Sequence, residues 1–98
     1  MTIEQKKNGT DLNIALEGRL DTMTAPQLEA ELKSALEGVE TLVFDLEKLE
    51  YISSAGLRVL LSAQKTMNRQ GAMKVVRPNE IVKEIFEVTG FTDILTVE

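Results

Sequence analysis

The chain has 98 residues, 43% of them hydrophobic and 28% charged, which fits one globular domain spanning residues 1–98 and excludes a disordered or membrane class. Sixteen acidic against eleven basic residues leave a net charge of −5; the basic residues are scattered, so the positive footprint of a nucleic-acid binder is missing. There is no cysteine and no histidine, which removes disulfides, thiolate and imidazole metal ligands, and both Ser-His-Asp and Cys-His catalysis.

No apolar run approaches the roughly 20 residues of a membrane-spanning helix, and the opening MTIEQKKNG lacks the apolar centre of a signal peptide. No membrane insertion and a cytoplasmic location are therefore expected. Residues 3–7 and 12–17 flank Asn8-Gly9, a pair suited to the positive φ of a hairpin turn. Leu12, Ile14 and Leu16 alternate with polar or small residues, so the second strand has one buried face. The first, with Ile3 as its clear apolar residue and Lys6-Lys7 near its end, reads as a solvated edge.

Thr24, Ala25, Pro26 and Gln27 have the Thr-x-x-Gln spacing of a capping box with proline in the first turn. Leu28, Leu32, Ala35 and Leu36 follow at helical spacing and Gly38 closes the segment. Residues 41–46, TLVFDL, form a nearly continuous apolar run that predicts a strand covered on both faces. A helix opens at Ser53 or Ser54, carries Leu57, Leu60, Leu61 and Gln64 on one stripe with Val59, Ala63 and Met67 beside it, and stops at Gly71. Residues 73–76 read as a strand. Pro78-Asn79 then introduces a helix whose apolar set is Ile81, Val82, Ile85, Phe86 and Val88, ended by Gly90. Residues 94–97 form a last strand or dock the tail. Helical crossovers return the chain parallel and right-handed, so this order predicts an α/β fold: a mixed sheet of four to five strands with helices packed mainly on one face.

The stretch LEYISSAGLRVLLSAQ, residues 49–64, puts two serines and an Ala-Gly pair where the helix starts. Capping by Ser53 or Ser54 accounts for the serines. It leaves Gly56 unexplained, because glycine within a helix costs about 1 kcal/mol relative to alanine. One account is that Ala55 and Gly56 leave the helix tip accessible to another molecule. The tip's partial positive charge and unpaired N–H groups suit a phosphate, and phosphorylation of Ser54 would add up to about two negative charges there. Asp21 is either a turn residue or part of such a surface. Asp45 reads as a solvated carboxylate or local acceptor, and Met23, Met67 and Met73 as packing residues in preference to a binding surface, although Met23 falls in the loop of that candidate surface.

These residues carry a family resemblance. LEYISSAGLRVLL, with EGRLD at 17–21, VFDLEKL at 43–49 and VRPNEIVKEIFEVTGF at 76–91, resembles the STAS domain, in particular the stand-alone anti-sigma-factor antagonists. The resemblance implies a bacterial, phosphorylation-controlled partner switch. When unmodified, such a domain binds an anti-sigma factor that is also a serine kinase and so releases the sigma factor; phosphorylation ends the complex, and a PP2C-type phosphatase restores it. Aligned on Gly56-Leu57, the acceptor falls on Ser54, with Ser53, standing where sporulation-type members commonly have Asp, as a minor rival. The implied docking surface comprises Gly18, Asp21, Thr22, Thr24, Ser53, Ser54, Ala55 and Gly56. No catalytic residue, metal or cofactor is expected. Many members continue into another helix after the last strand, whereas this sequence stops at Glu98. STAS domains also serve as accessory subunits binding the ATPase of a lipid transporter and as parts of sensory scaffolds, which is the alternative reading; a retained Ser54 with Gly56 favours the switch.

Overall fold

The computed structural model describes all residues from Met1 to Glu98. The chain opens with a hairpin of β1 (Thr2–Asn8) and β2 (Asp11–Leu20), whose antiparallel pairing ends at Asn8 opposite Asp11 with Gly9 at φ +64°. Helix α1 (Ala25–Ala35) then carries the chain to β3 (Thr41–Ile52), and α2 (Ser54–Gln70) to β4 (Ala72–Val76). β2 pairs parallel with β3 and β3 parallel with β4, giving a four-stranded mixed sheet in the order β1-β2-β3-β4. Stepping in one direction through two parallel right-handed crossovers puts α1 and α2 on the same side. Helix α3 (Glu80–Thr89) and a 3-10 turn (Phe91–Asp93) complete the chain. Leu12, Ile14 and Leu16 of β2 join Leu42, Phe44 and Leu46 of β3, and the buried stripes of the three helices, in one core of 24 residues.

β3 departs from the sequence reading twice. It runs on through Ile52, and only one of its faces is buried: Val43 and Asp45 are half-buried while Leu42, Phe44 and Leu46 are enclosed. The reason is that the helices cover a single side of the sheet, leaving the other to solvent. Along the added length β3 stays paired with β2 through two register shifts, between Ala15 and Glu17 and between Gly18 and Arg19, at each of which β3 carries one residue more. Such bulges reset the inward-outward alternation. Leu46, Leu49 and Ile52 therefore all point inward despite three-residue spacing.

The helix ends show where the predicted punctuation acts. Thr24 does not form a capping box: its own backbone is helical, and its side chain caps no first-turn N–H. It reaches back instead, accepting from the Asp21 N–H at 2.9 Å and donating to the Arg19 carbonyl at 2.7 Å. At the other end of α2, Gly71 lies against the backbone of Glu40, where a Cβ would fall 1.9 Å from the Glu40 carbonyl oxygen. Asn79 caps α3 by accepting from Val82 N–H at 2.8 Å. Val82 and Phe86 of α3 are buried and Ile85 half-buried, but Ile81 and Val88 face solvent, so the apolar set of this helix is narrower than its composition suggests. Residues 94–97 dock the tail without forming a fifth strand: Leu95 is buried, and Val97 makes one isolated parallel bridge to Val75.

Candidate functional site

β2 and β3 end side by side, and the turns that leave them are tied together. The Ser53 N–H donates to the Leu20 carbonyl at 2.9 Å, which fixes the β3–α2 turn beside the β2–α1 turn. Within the first, Ser53 is the cap of α2: its backbone is extended, and its hydroxyl accepts from the Gly56 N–H at 3.4 Å. Ser54 is the first helical residue, exposed, with a hydroxyl that makes no hydrogen bond within the protein. The two adjacent serines thus have separate tasks, one closing the helix and one facing outward.

Ala55 is half-buried and packs on the core, and Gly56 is buried. This corrects the reading of Gly56 as part of an accessible surface. A Cβ there would lie 2.7 Å from the Leu20 side chain, 2.8 Å from that of Ile52 and 2.8 Å from the Leu20 carbonyl oxygen. Its bareness lets the first turn of α2 lie directly on the strand ends. That close approach sets the height at which Ser54 emerges.

The neighbouring turn is organised by Asp21. Its Oδ1 accepts from the Met23 N–H at 3.0 Å and the Thr24 N–H at 3.2 Å, an Asx-type closure that starts α1 in place of the capping box. Burial disfavours ionisation of the carboxylate, but these two N–H groups, the Thr24 hydroxyl and the Arg19 charge outweigh it and hold the pKa below the usual carboxylate range. Arg19 lies 3.8 Å from Asp21 and stacks over the Tyr51 ring at 4.6 Å, bridging the ends of β2 and β3. Neither Arg19 nor Tyr51 stood out in the sequence, because only the bulged register makes them cross-strand neighbours. Thr22 is exposed and Thr24 half-buried. Met23, expected to pack, is 86% exposed beside them, whereas Met67 and Met73 are buried. Gly18 is set back within β2 at a register shift, with φ +103°.

No three potential metal-ligating side chains converge anywhere in the molecule. Asp45, on the uncovered sheet face, accepts from the Glu47 N–H at 3.1 Å and pairs with Arg77, whose Nε lies 3.3 Å away. The candidate site is therefore a solvent-facing hydroxyl at a helix tip, beside a turn closed by the Asp21 carboxylate.

Comparison with known proteins decides the family. The STAS domain family model matches residues 2–98. The chain belongs to the STAS domain family. This STAS domain is 42% identical over 84 residues to BtrV of Bordetella bronchiseptica, covering 84% of the chain and 72% of BtrV. It is 31% identical to the anti-sigma-B factor antagonist of Listeria monocytogenes over 102 aligned positions, covering 100% of the chain and 89% of that protein. Among solved structures, the anti-sigma factor antagonist SpoIIAA in its unphosphorylated form superposes with a TM-score of 0.86 at 20% identity, over 99% of this chain and 88% of that one. Its phosphorylated form gives 0.77 at 19% identity, over 99% and 91%. No helix of this STAS domain is long and apolar enough to cross a membrane.

Proposed function

We propose that this STAS domain is an anti-sigma factor antagonist working as a phosphorylation-controlled partner switch in the cytoplasm. Unmodified, it binds an anti-sigma factor that is also a serine kinase, through the surface formed by Asp21, Thr22, Thr24, Ser53, Ser54 and Ala55, and so frees a sigma factor. Phosphorylation of Ser54 ends that complex, and a PP2C-type phosphatase reverses it. The domain is then a substrate and not an enzyme. The observation that carries the reading is the division of labour at the helix tip: Ser53 is occupied as the cap, while the Ser54 hydroxyl is exposed and uncommitted. A phosphate there meets the positive end of α2 and leaves the helix formed, yet adds up to about two negative charges to the surface a partner must approach.

The test is incubation with the anti-sigma kinase and ATP followed by peptide mass mapping. Phosphate is expected on Ser54, and phosphate confined to Ser53 would overturn the assignment. Ser54→Glu should weaken kinase binding by at least about tenfold, since an added charge left unpaired at a docked surface costs more than about 1.4 kcal/mol. Its circular dichroism should match the wild type; loss of helix would show that the effect is unfolding. Capture of a transporter ATPase, unaffected by Ser54→Glu, would favour the accessory-subunit role.

A further inference from the structure

We infer that Arg58 is the built-in counter-charge for a phosphate on Ser54, an inference that rests on the partner-switch reading of that residue. Ser54 and Arg58 are the first and fifth residues of α2, both exposed. Residues four apart share a helix face with Cβ atoms about 5–6 Å apart. Helical side chains also lean toward the N-terminus, so a long residue covers the turn before its own Cα. The Arg58 guanidinium therefore has the Ser54 hydroxyl within its natural reach.

Arg58 is also free. The ion pairs of the molecule involve Arg19, Lys74 and Arg77, and Arg58 takes part in none of them and makes no side-chain hydrogen bond. Arg19, the other guanidinium at this end of the sheet, is already held by Tyr51 and Asp21. An anion four residues N-terminal to a cation is the favourable order along a helix, and phosphate-guanidinium pairing is stronger than carboxylate-ammonium pairing of the same spacing. Ser53 has no equivalent: four residues on from it stands Leu57, which is buried. The two serines thus differ in the stability of their phosphorylated forms as well as in access.

On this arrangement a phosphate at residue 54 is drawn back onto α2 and reinforces its first turn. The same event consumes the one unpaired guanidinium beside the docking surface. Phosphorylation then changes that surface twice, by adding an anion and by withdrawing a free cation.

The test places phosphoserine at position 54 by genetic-code expansion, without a kinase, in the wild type, Arg58→Gln and Arg58→Lys. Urea unfolding of each with and without the phosphate closes a double-mutant cycle. Phosphate should favour the folded state about two- to fivefold more with Arg58 than with Gln, with Lys between them. That difference should shrink in about 0.5 M salt, as an exposed ion pair does. An equal effect of phosphate with Arg and Gln would overturn the inference. Because the phosphate is installed directly, that failure is separate from a failure of the partner-switch reading, which would show as absence of kinase action on Ser54.

Discussion

At the scale of single residues, Ser53 and Ser54 are chemically identical, and the helix start alone separates them. Ser53 spends its hydroxyl on the Gly56 N–H, while Ser54 is left uncommitted. Gly56 is the residue whose role the sequence misrepresents. Helix propensity favours alanine over glycine by about 1 kcal/mol, but any Cβ at this position runs into the Leu20 carbonyl and the Leu20 and Ile52 side chains below 3 Å. Backbone cannot yield as a flexible side chain can, so the steric cost wins. Gly56→Ala should lose roughly 1–3 kcal/mol of stability, the usual range for overpacking, read as a lower urea midpoint. A gain in stability would show that the first turn has room to lift. Gln64 illustrates the converse: it sits on the apolar stripe of α2, is buried, and its Oε1 has no hydrogen-bond partner.

The elements were legible where a single period runs from end to end. β2 shows its period plainly, with Leu12, Ile14, Leu16 and Leu20 buried, and α2 buries Leu57, Val59, Leu60, Ala63 and Met67, while Leu61 of the expected stripe is only half-buried and Gln64 is enclosed with them. In β3 the apolar pattern is legible only as far as Leu46, because beyond it two bulges break the alternation and the charged Glu47, Lys48 and Glu50 follow. The apolar spacing of α1 marks the helix, but its start is made by Asp21, whose reach to the Met23 and Thr24 N–H groups depends on the turn conformation. At α3 the cap does more than stop fraying. Asn79 accepts from Val82 and also donates to the Leu49 carbonyl at 3.0 Å, fastening the helix to β3 within the bulged region. Asn79→Ala removes both, and should cost about 1–3 kcal/mol, combining a lost cap with a lost backbone tether. Hydrogen exchange should show the loss as faster opening of α3 than of α2; equal opening would mean that the tether carries no weight.

For the whole molecule, the one-sided sheet explains why an acidic, largely polar surface coexists with a full core. The uncovered face carries ion pairs where a second helical layer would need apolar residues: Arg77 joins Asp45 and, at 3.5 Å, Glu47, while Lys74 meets Glu98 at 3.4 Å. Burial pushes the Asp45 carboxyl upward, but the Arg77 hydrogen bond, the Glu47 N–H and the charges of Arg77 and Lys48 overcome it and hold its pKa below the ordinary value. Asp21 is lowered as well. A carboxylate with a lowered pKa in the folded state binds its proton more readily when unfolded. Its stabilisation is therefore complete above about pH 4, the ordinary aspartate pKa, and is lost as pH falls through the folded value. The urea midpoint of the wild type should fall from pH 5 toward pH 2.5, and that of Asp45→Asn should fall less. Parallel curves would show that the Arg77–Asp45 pair is not coupled to folding.

The sequence by itself determined the element order, the mixed sheet with a polar edge strand, the absence of histidine and thiol chemistry, and the helix tip as the place of interest. These follow from local patterning and from which side chains exist at all. Tertiary structure decided why Gly56 has no alternative, and that Arg19 and Tyr51 meet. Those outcomes depend on distances between β2 and β3, which a linear pattern does not encode because two bulges alter how their residues line up.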